Sequence, residues 1–446
     1  MFGVSELGRS SFSNGAWRGT SKHSILLDRT KLRAYRSVSQ TECENGVILT
    51  DTTRRAFLGS SAALLGIPIT QFDSRAGEPG LDQTDLLSEA VQWCKARRKN
   101  LILTEGQYLT TRSIDGTADS SAQQFQILGP GPYICSIVHD LVEDFPVLDM
   151  SGNGKGSVQG FSILPGNNSK ATCGILVAKG RSSSTTGNGF MIDNMYIAAG
   201  SQPNHAAVAV YNSDLSRISN TTIGRAGGGA GLTIGMCIPN GIQSKFGPMS
   251  SELDLTQVYV FQSQIGGDKA PALEFTGGAA ISLRDIYAAT CGEGSEHIVK
   301  ISAANRHSGN SFWADVLRTE NQSKATHVGA VHFSARSICG RIVGNLQTDL
   351  DGYAIGSDAG CTVERYQLQV NSYARLFRMM GGLASSEISS AAHPFGNIST
   401  GNTSSLNFVG VQDFSEILSQ LNDCPGIHIT DSTGTHISSG RILPHK

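Results

Sequence analysis

The sequence predicts an all-β protein, a single-stranded right-handed parallel β-helix with an N-terminal capping helix. Three observations indicate this fold. Among the 446 residues, 52 are glycine and only 16% are charged, which favours strands joined by turns over long helices. One strand-and-corner pattern recurs along most of the chain, and one segment near its start has helical periodicity.

The composition is that of a globular protein without a strongly charged surface. Hydrophobic residues make up 39% of the chain and the formal net charge is −2, so a sizeable core is possible and no basic field is present. We therefore expect no nucleic-acid partner. Nine cysteines are scattered singly, without metal-ligand spacing, and no disulfide or metal site is predicted from them.

The predicted capping helix lies in DQTDLLSEAVQWCKARRKN, residues 82–100. Its apolar positions Leu86, Leu87, Ala90, Val91 and Cys94 share one helical face, and Asp82 and Thr84 are candidates for the N-terminal cap. A strand follows at residues 101–109 and another at 125–133. A terminal helix of this kind is suited to covering the open end of a solenoid.

The repeated corner pattern alternates apolar residues, skips two positions and alternates again. The copies are GSVQGFSI, FMIDNMYI, SRISNTTI, LDLTQVYV, ISLRDIYA, FWADVLRT and CTVERYQL, beginning at residues 156, 190, 216, 253, 281, 312 and 361. Their third positions, from Val158 to Ala314, lie 34, 26, 37, 28 and 31 residues apart, which is one solenoid coil plus loops. Two short strands with a bend between them keep the apolar residues of each copy on the inner side.

A second strand precedes each corner and gives every coil a third face. These strands are predicted at residues 174–180, 205–212, 231–236, 271–278, 297–303, 328–335 and 374–382. The domain is expected to span residues 76–400, with residues 401–446 as a C-terminal cap or tail.

The start of the domain carries a family resemblance. Asp82, Thr84, Asp85, Ala90 and the run Glu105 to Tyr108 resemble the opening of the pectate-lyase-like (pectin lyase-fold) right-handed parallel β-helix superfamily, in which a helix caps the first coil. The resemblance implies a polysaccharide ligand. The hydrolase signatures of that superfamily are not intact here, and neither is its cluster of calcium-binding acids, so no catalytic residue is carried over and no cofactor is expected, with Ca²⁺ the one possible exception.

The segment ahead of the domain resembles a twin-arginine export leader. Arg54 and Arg55 precede Phe57, Leu58 and a short apolar stretch that ends near residue 69. That stretch is too short to span a membrane. Residues 1–75 are therefore expected to be a leader outside the fold, and the protein to be periplasmic or extracellular; the alternative is a basic amphipathic turn.

Stacked corners place equivalent residues in columns, about 4.8 Å apart between coils. At the bend itself, the column is expected to be an inward ladder of amides that bonds to the turns, with ligand binding as the alternative. It is formed by Gly160, Asn194, Asn220, Gln257 and Asp285. One position beyond the turn, Tyr196, Tyr259 and Tyr287 are expected to face outward and bind sugar rings. Simple packing under a loop is the alternative reading of these tyrosines.

The strands that precede the corners supply a column with ionisable members. Its residues are Ala209, Thr233, Glu274, Lys300, His332 and Arg378. The catalytic candidates are Lys300, His332 and Glu274, with Asp315 and Asp349 as further acids and Arg378 as a substrate-binding group. Charged strand residues that only keep the surface soluble are the alternative.

On an acidic sugar, Lys300 and Arg378 would neutralise the uronate while His332 removes a proton; on a neutral sugar, Glu274 would act as an acid with Asp315 or Asp349 as its partner. The sequence thus predicts an exported protein that cleaves a polysaccharide as a lyase or glycoside hydrolase. A non-catalytic carbohydrate-binding, adhesive or phage tailspike-like β-helix is the alternative, and the oligomeric state is open, with a trimer expected of a tailspike.

Overall fold

The structure is a computed structural model, and it describes the chain from residue 66 to residue 440 with gaps. The described residues are 66–120, 123–143, 145–178, 188–198, 206–211, 213, 215–224, 230–234, 252–261, 271–275, 280–290, 294–301, 310–322, 325–334, 336–349, 352–358, 361, 363–364, 366–371, 375–379, 383–384, 386–390, 406–411, 426–431 and 436–440.

The described strands form a right-handed parallel β-helix, as predicted. The corner motifs lie in one long sheet, whose strands are β1 Gly66–Pro68, β2 Asn100–Ile102, β3 Gly106–Thr110, β5 Gln126–Leu128, β6 Cys135–His139, β8 Ser157–Gln159, β9 Ser162–Pro165, β11 Met191–Asp193, β12 Tyr196–Ile197, β14 Ser216–Gly224, β16 Leu253–Phe261, β18 Ala280–Thr290, β20 Asn310–Asn321, β22 Ser337–Leu346, β24 Val363–Glu364, β25 Tyr366–Asn371, β27 Leu383–Ala384, β28 Ser386–Ser390, β29 Leu406–Val411, β30 Gly426–Asp431 and β31 His436–Gly440. All their pairings are parallel except that of β30 with β31.

The other sheet consists of the strands that precede the corners, and we call it the flat sheet. Within the described residues it has ten strands: β4 Ile114–Asp115, β7 Leu148–Asp149, β10 Ile175–Val177, β13 Ala206–Val210, β15 Ala230–Ile234, β17 Leu273–Phe275, β19 His297–Ile301, β21 Gly329–Phe333, β23 Tyr353–Ser357 and β26 Arg375–Met379. β23 is not among the strands predicted from the sequence, because its YAIGS stretch is short and contains the small residues Ala354 and Gly356.

The core is built from in-register apolar columns. The predicted third positions pair in the order Val158, Ile192, Ile218, Leu255, Leu283 and Ala314, and all of them are buried. Because each coil repeats the same inward positions, one continuous core runs through the stack.

The capping helix α1 spans Thr84–Arg97 and lies against the first coils. Leu87, Ala90, Val91 and Cys94 on its inner face are buried in the main core, which confirms the predicted face. At its start, Asp82 accepts hydrogen bonds from the backbone N–H and the hydroxyl of Thr84 at 3.0 and 2.6 Å. The carboxylate thereby satisfies one of the orphan N–H groups of the first turn.

The fold begins earlier than residue 76 and continues beyond residue 400. Gly66–Pro68 pairs in parallel with Asn100–Ile102, and Ile69 is buried in the main core. At the other end, β29 pairs in parallel with β28. Gly66–Pro68 of the expected leader and Leu406–Val411 of the expected C-terminal cap or tail therefore take part in the sheets of the solenoid.

Each corner turns at a residue in the left-handed backbone region. The φ angles are 72° at Gly160, 50° at Asn194 and at Asn220, 56° at Gln257 and 52° at Asp285. The predicted position of the bend is correct, but the inward amide ladder is wrong, because the side chains of Asn194, Asn220 and Gln257 are exposed. At these corners the side chains of the left-handed residues point away from the core, and Gly, Asn and Asp tolerate the left-handed conformation best.

In β20 the corner residue is Val316, which has a φ of 61° although it is β-branched. β20 contains this one residue more than β22, because Asp315 pairs with Val343 and Leu317 with Gly344. A β-bulge of this kind bends the bulged strand and changes the course of the chain.

Candidate functional site

The segments after the corner form an outward surface that we call the tyrosine face. Its column runs Ser162, Tyr196, Thr222, Tyr259, Tyr287 and Arg318 on successive strands. Tyr259 is 43% exposed, and its ring centroid lies 5.9 Å from that of Tyr287. The ring centroid of Phe261, two residues after Tyr259 on the same strand, lies 5.6 Å from that of Tyr287, so three aromatic rings form one patch.

Polar groups from β20 and the residue after it lie beside the Tyr287 end of the aromatic patch. The Tyr287 hydroxyl donates a hydrogen bond to the carboxylate of Glu320 and accepts one from the Gln322 amide at 2.9 Å. In the same column, Arg318 forms an ion pair with the corner residue Asp285 at 2.6 Å. The patch thus offers apolar ring faces beside hydrogen-bonding groups, which is the combination that binds a sugar ring.

Tyr196 does not belong to this patch. Thr222 separates it from Tyr259 in the column. Tyr196 instead lines a separate open pocket of about 310 Å³ with Tyr133, Ile134 and Ser162. The predicted tyrosine set is therefore divided between two places.

The ionisable column lies on the flat sheet. Neighbouring strands pair Ala209 with Thr233, Thr233 with Glu274, Glu274 with Lys300, and Lys300 with His332. The predicted order is correct up to this point. Beyond it, His332 pairs with Gly356, and Gly356 pairs with Arg378. Arg378 is therefore two strands away from His332, because the missed strand β23 lies between them.

His332 is the centre of a cluster that the sequence analysis did not predict. Its Nε2 lies 2.9 Å from Oδ1 of Asp358, and its Nδ1 lies 2.8 Å from the hydroxyl of Tyr353. The same hydroxyl lies 3.2 Å from Nδ1 of His297, and the two imidazoles stack at 3.9 Å with an angle of 8° between their planes. We call these four residues the histidine–tyrosine cluster.

Two glycines make room for Tyr353 in this cluster. A Cβ at Gly329 would lie 2.4 Å from Cζ of Tyr353, and a Cβ at Gly356 would lie 2.2 Å from its Cε2. These distances are far below ordinary carbon contacts, so only glycine is compatible with the ring there. Gly329 lies opposite Tyr353 on the neighbouring strand and Gly356 lies on the strand of Tyr353 itself, so glycines around a tyrosine were the signal in the sequence from which this arrangement could have been inferred.

Exposure differs between the members of the cluster. His332 is only 6% exposed, whereas His297 is half-buried and Asp358 is exposed. Partial burial alone would raise the pKa of Asp358, but hydrogen bonds from Ser334 and His332 outweigh it and hold that pKa below its ordinary value of 3.8. The cluster therefore contains an ionised carboxylate at neutral pH.

The two further acids lie away from this column. Asp315 is exposed and forms an ion pair with Arg341 at 3.3 Å, on the segment ahead of the bend. Asp349 accepts backbone hydrogen bonds from His327 and Val328, both at 3.0 Å. These contacts give Asp315 a partner in its own sheet and give Asp349 the role of holding the chain just ahead of β21.

No set of three or more His, Cys, Asp or Glu side chains is arranged to hold a metal ion within the described part of the chain. Over the same residues, no helix is long and apolar enough to cross a membrane.

Comparisons with known proteins give likenesses of fold at low sequence identity. No protein-family model matches the chain, and no curated protein matches it. Among solved structures, the A-module of the Azotobacter vinelandii mannuronan C-5 epimerase AlgE4 is 10% identical, with a TM-score of 0.46 over 78% of this chain and 97% of that one. The catalytic domain of Agl-KA is 14% identical, with a TM-score of 0.45 over 78% and 68% of the two chains.

A third similar structure is the full-length tailspike protein 2 of an Escherichia coli O157:H7 bacteriophage. It is 9% identical, with a TM-score of 0.48 over 77% of this chain, and the match covers 46% of the tailspike. These similarities concern the fold.

Proposed function

We propose that the protein is an exported polysaccharide lyase that acts on an acidic sugar chain. The observation that carries the proposal is the outward column of the flat sheet, in which Lys300 pairs with His332 and the ring of His297 stacks on that of His332. Elimination next to a uronate needs a cation that stabilises the carboxylate and a base that removes the adjacent proton. Lys300 supplies the cation, and the histidines supply the base.

The tyrosine face supports a sugar ligand. Tyr259, Tyr287 and Phe261 form one aromatic patch, and Arg318, Glu320 and Gln322 add polar groups at its edge. We assign to this patch the binding of sugar residues that lie along the polysaccharide away from the bond that is cleaved. Arg378, two strands beyond His332, is suited to a further uronate along the chain.

Hydrolysis has less support than elimination. A glycoside hydrolase needs two carboxyl groups about 5 to 9.5 Å apart on the two sides of one bond. Asp315 lies on the segment ahead of the bend with Arg341, and Asp349 holds the backbone of His327 and Val328. Neither acid therefore has the role of a partner to Glu274.

The test is incubation of the protein with a panel of acidic and neutral polysaccharides, reading both the ultraviolet absorbance of unsaturated products and the release of reducing ends. We expect unsaturated products from a uronate-containing polymer. Lys300→Ala should lower kcat/KM by about a hundredfold or more, the scale for losing one charge-stabilising group. Lys170→Ala, which removes an exposed lysine elsewhere on the solenoid, is the matched control.

Reducing ends without unsaturated products would contradict the lyase and favour a hydrolase. The second candidate function is non-catalytic binding of a polysaccharide, which the exposed aromatic patch of Tyr259 and Tyr287 favours. It predicts no product from any polymer of the panel, together with polysaccharide binding that Tyr259→Ala weakens. Phe145→Ala, which removes another half-exposed ring, should leave binding unchanged.

A further inference from the structure

We propose that His297 is the general base of this site and that Tyr353, His332 and Asp358 form a proton relay behind it. The proposal deepens the proposed lyase function and rests on it. It also changes the predicted role of His332, because a residue that is 6% exposed with Asp358 at one ring nitrogen and Tyr353 at the other is not placed to touch a polymer. His297 is half-buried and reaches further toward the surface.

The hydrogen-bond chain fixes which ring nitrogens carry protons. An ionised Asp358 can only accept, so Nε2 of a neutral His332 carries the proton that is donated at 2.9 Å. The other ring nitrogen, Nδ1, is then an acceptor and receives the hydroxyl proton of Tyr353 at 2.8 Å. The Tyr353 oxygen in turn accepts from Nδ1–H of His297 at 3.2 Å. This order leaves the basic lone pair of His297 on Nε2.

The same series of hydrogen bonds can carry away the proton that the base removes from the substrate. The bond between hydrogen and the carbon α to the carboxylate breaks, and its electron pair forms a double bond to the β-carbon as the glycosidic C–O bond breaks. The proton binds Nε2 of His297. His297 then passes its Nδ1 proton to the Tyr353 oxygen, and Tyr353 passes its own to Nδ1 of His332.

The positive charge thus ends on His332, next to the carboxylate of Asp358. The leaving oxygen takes a proton from solvent. Solvent takes one proton from the relay in return, so the reaction neither gains nor loses protons overall, and Lys300, whose strand position adjoins His332, stays charged beside the uronate.

The stacking of the His297 and His332 imidazoles is compatible with one positive charge on the pair, but not with two. Two imidazolium rings 3.9 Å apart would repel each other strongly, whereas one imidazolium and one neutral ring linked through Tyr353 would not. Asp358 is the anion that stabilises the single charge, and Lys300 on the neighbouring strand opposes a second one. The pair is therefore suited to take up one proton at a time.

The first test does not depend on activity. NMR spectra of the full chain, labelled with ¹⁵N-histidine and recorded at neutral pH, should show His332 protonated at Nε2 and His297 protonated at Nδ1. Tyr353→Phe should change the His297 signal, because its Nδ1–H loses its acceptor. Tyr108→Phe, which removes another buried hydroxyl that is bonded to Thr104, should leave both histidine signals unchanged. A His297 protonated at Nε2 in the parent protein would overturn the relay.

The second test uses kinetics on a polymer that the parent protein cleaves. His297→Ala should lower kcat by at least about a hundredfold, the scale for losing a general base. Tyr353→Phe should lower kcat by less, leave KM unchanged and move the acidic limb of the kcat/KM profile to lower pH, because the charge on His297 no longer reaches Asp358. Tyr108→Phe should behave as the parent.

The outcomes separate this proposal from the proposed function. Parent-like activity in His297→Ala, with unsaturated products still formed, would overturn the base assignment and leave the lyase intact. Histidine signals as expected but no product from any uronate polymer would instead retain the relay and reject the lyase.

Discussion

At the residue scale, the direction of a side chain depends on its place in the coil. Leu283 is buried between Leu255 and Ala314 in an inward column, whereas Tyr287, four residues later, lies on the tyrosine face. Replacing Leu283 by Asp would place an unpaired carboxylate in the core, so we expect a loss of several kcal/mol in the free energy of unfolding. Tyr287→Ser removes ring contacts and hydrogen bonds of a half-buried side chain outside the core, and should cost less, about 1 to 2 kcal/mol.

Chemical denaturation of both variants measures the difference, and circular dichroism shows whether the Asp variant folds at all. Equal destabilisation by the two substitutions would mean that the assignment of inward and outward positions is wrong.

The sequence predicted the core columns well and the cluster around His332 poorly, for a physical reason. Inward residues such as Leu255 and Leu283 recur at one position of every coil, so periodicity alone shows them. Tyr353 and His297 meet only because β23 stacks two strands away from β19 and because Gly329 and Gly356 leave space for the ring. A contact that depends on where a strand stacks cannot be predicted when that strand is not recognised in the sequence.

At the element scale, the start of the capping helix depends on one carboxylate. Asp82 accepts hydrogen bonds from Thr84 and from the hydroxyl of Thr111. Partial burial alone would raise the pKa of Asp82, but the hydrogen bonds from Thr84 outweigh it and the net pKa is lowered. A lowered pKa in the folded state means that the ionised form contributes stability fully above about pH 4, the unfolded value, and that this contribution is lost as the pH falls through the folded value.

We therefore expect Asp82→Ala to lower the free energy of unfolding by about 1 kcal/mol at pH 7, the usual net scale for losing a hydrogen bond. The difference from the parent should shrink as the pH falls below about 4. Urea denaturation at pH 7 and at acidic pH measures it, with the exposed Glu89 replaced by Ala in the same helix as a matched control. A difference that does not change with pH would contradict a contribution from the ionised carboxylate.

At the scale of the whole molecule, export is proposed to depend on the paired arginines Arg54 and Arg55, which lie outside the described residues. Paired guanidinium groups ahead of a weakly apolar stretch are the basis of the resemblance to a twin-arginine leader. Replacing both by Lys should leave the full-length precursor in the cytoplasm, measured by cell fractionation and by sequencing the N-terminus of the exported fraction.

The same conservative change at Arg33 and Arg36 is the control and should not affect export. An exported protein whose N-terminus is still Met1 would contradict the leader.

The bulge at Val316 has a consequence for how the chain finds its correct stacking. Coils with the same inward pattern present nearly the same strand edges to each other. During folding, one coil could therefore pair with the wrong neighbouring coil. β20 has one residue more than β22 at the corner, and shifting a strand by one residue would turn its core side chains outward. The additional residue of β20 therefore favours pairing with one particular neighbouring strand on that side. It distinguishes this coil from the others, whose inward patterns are alike.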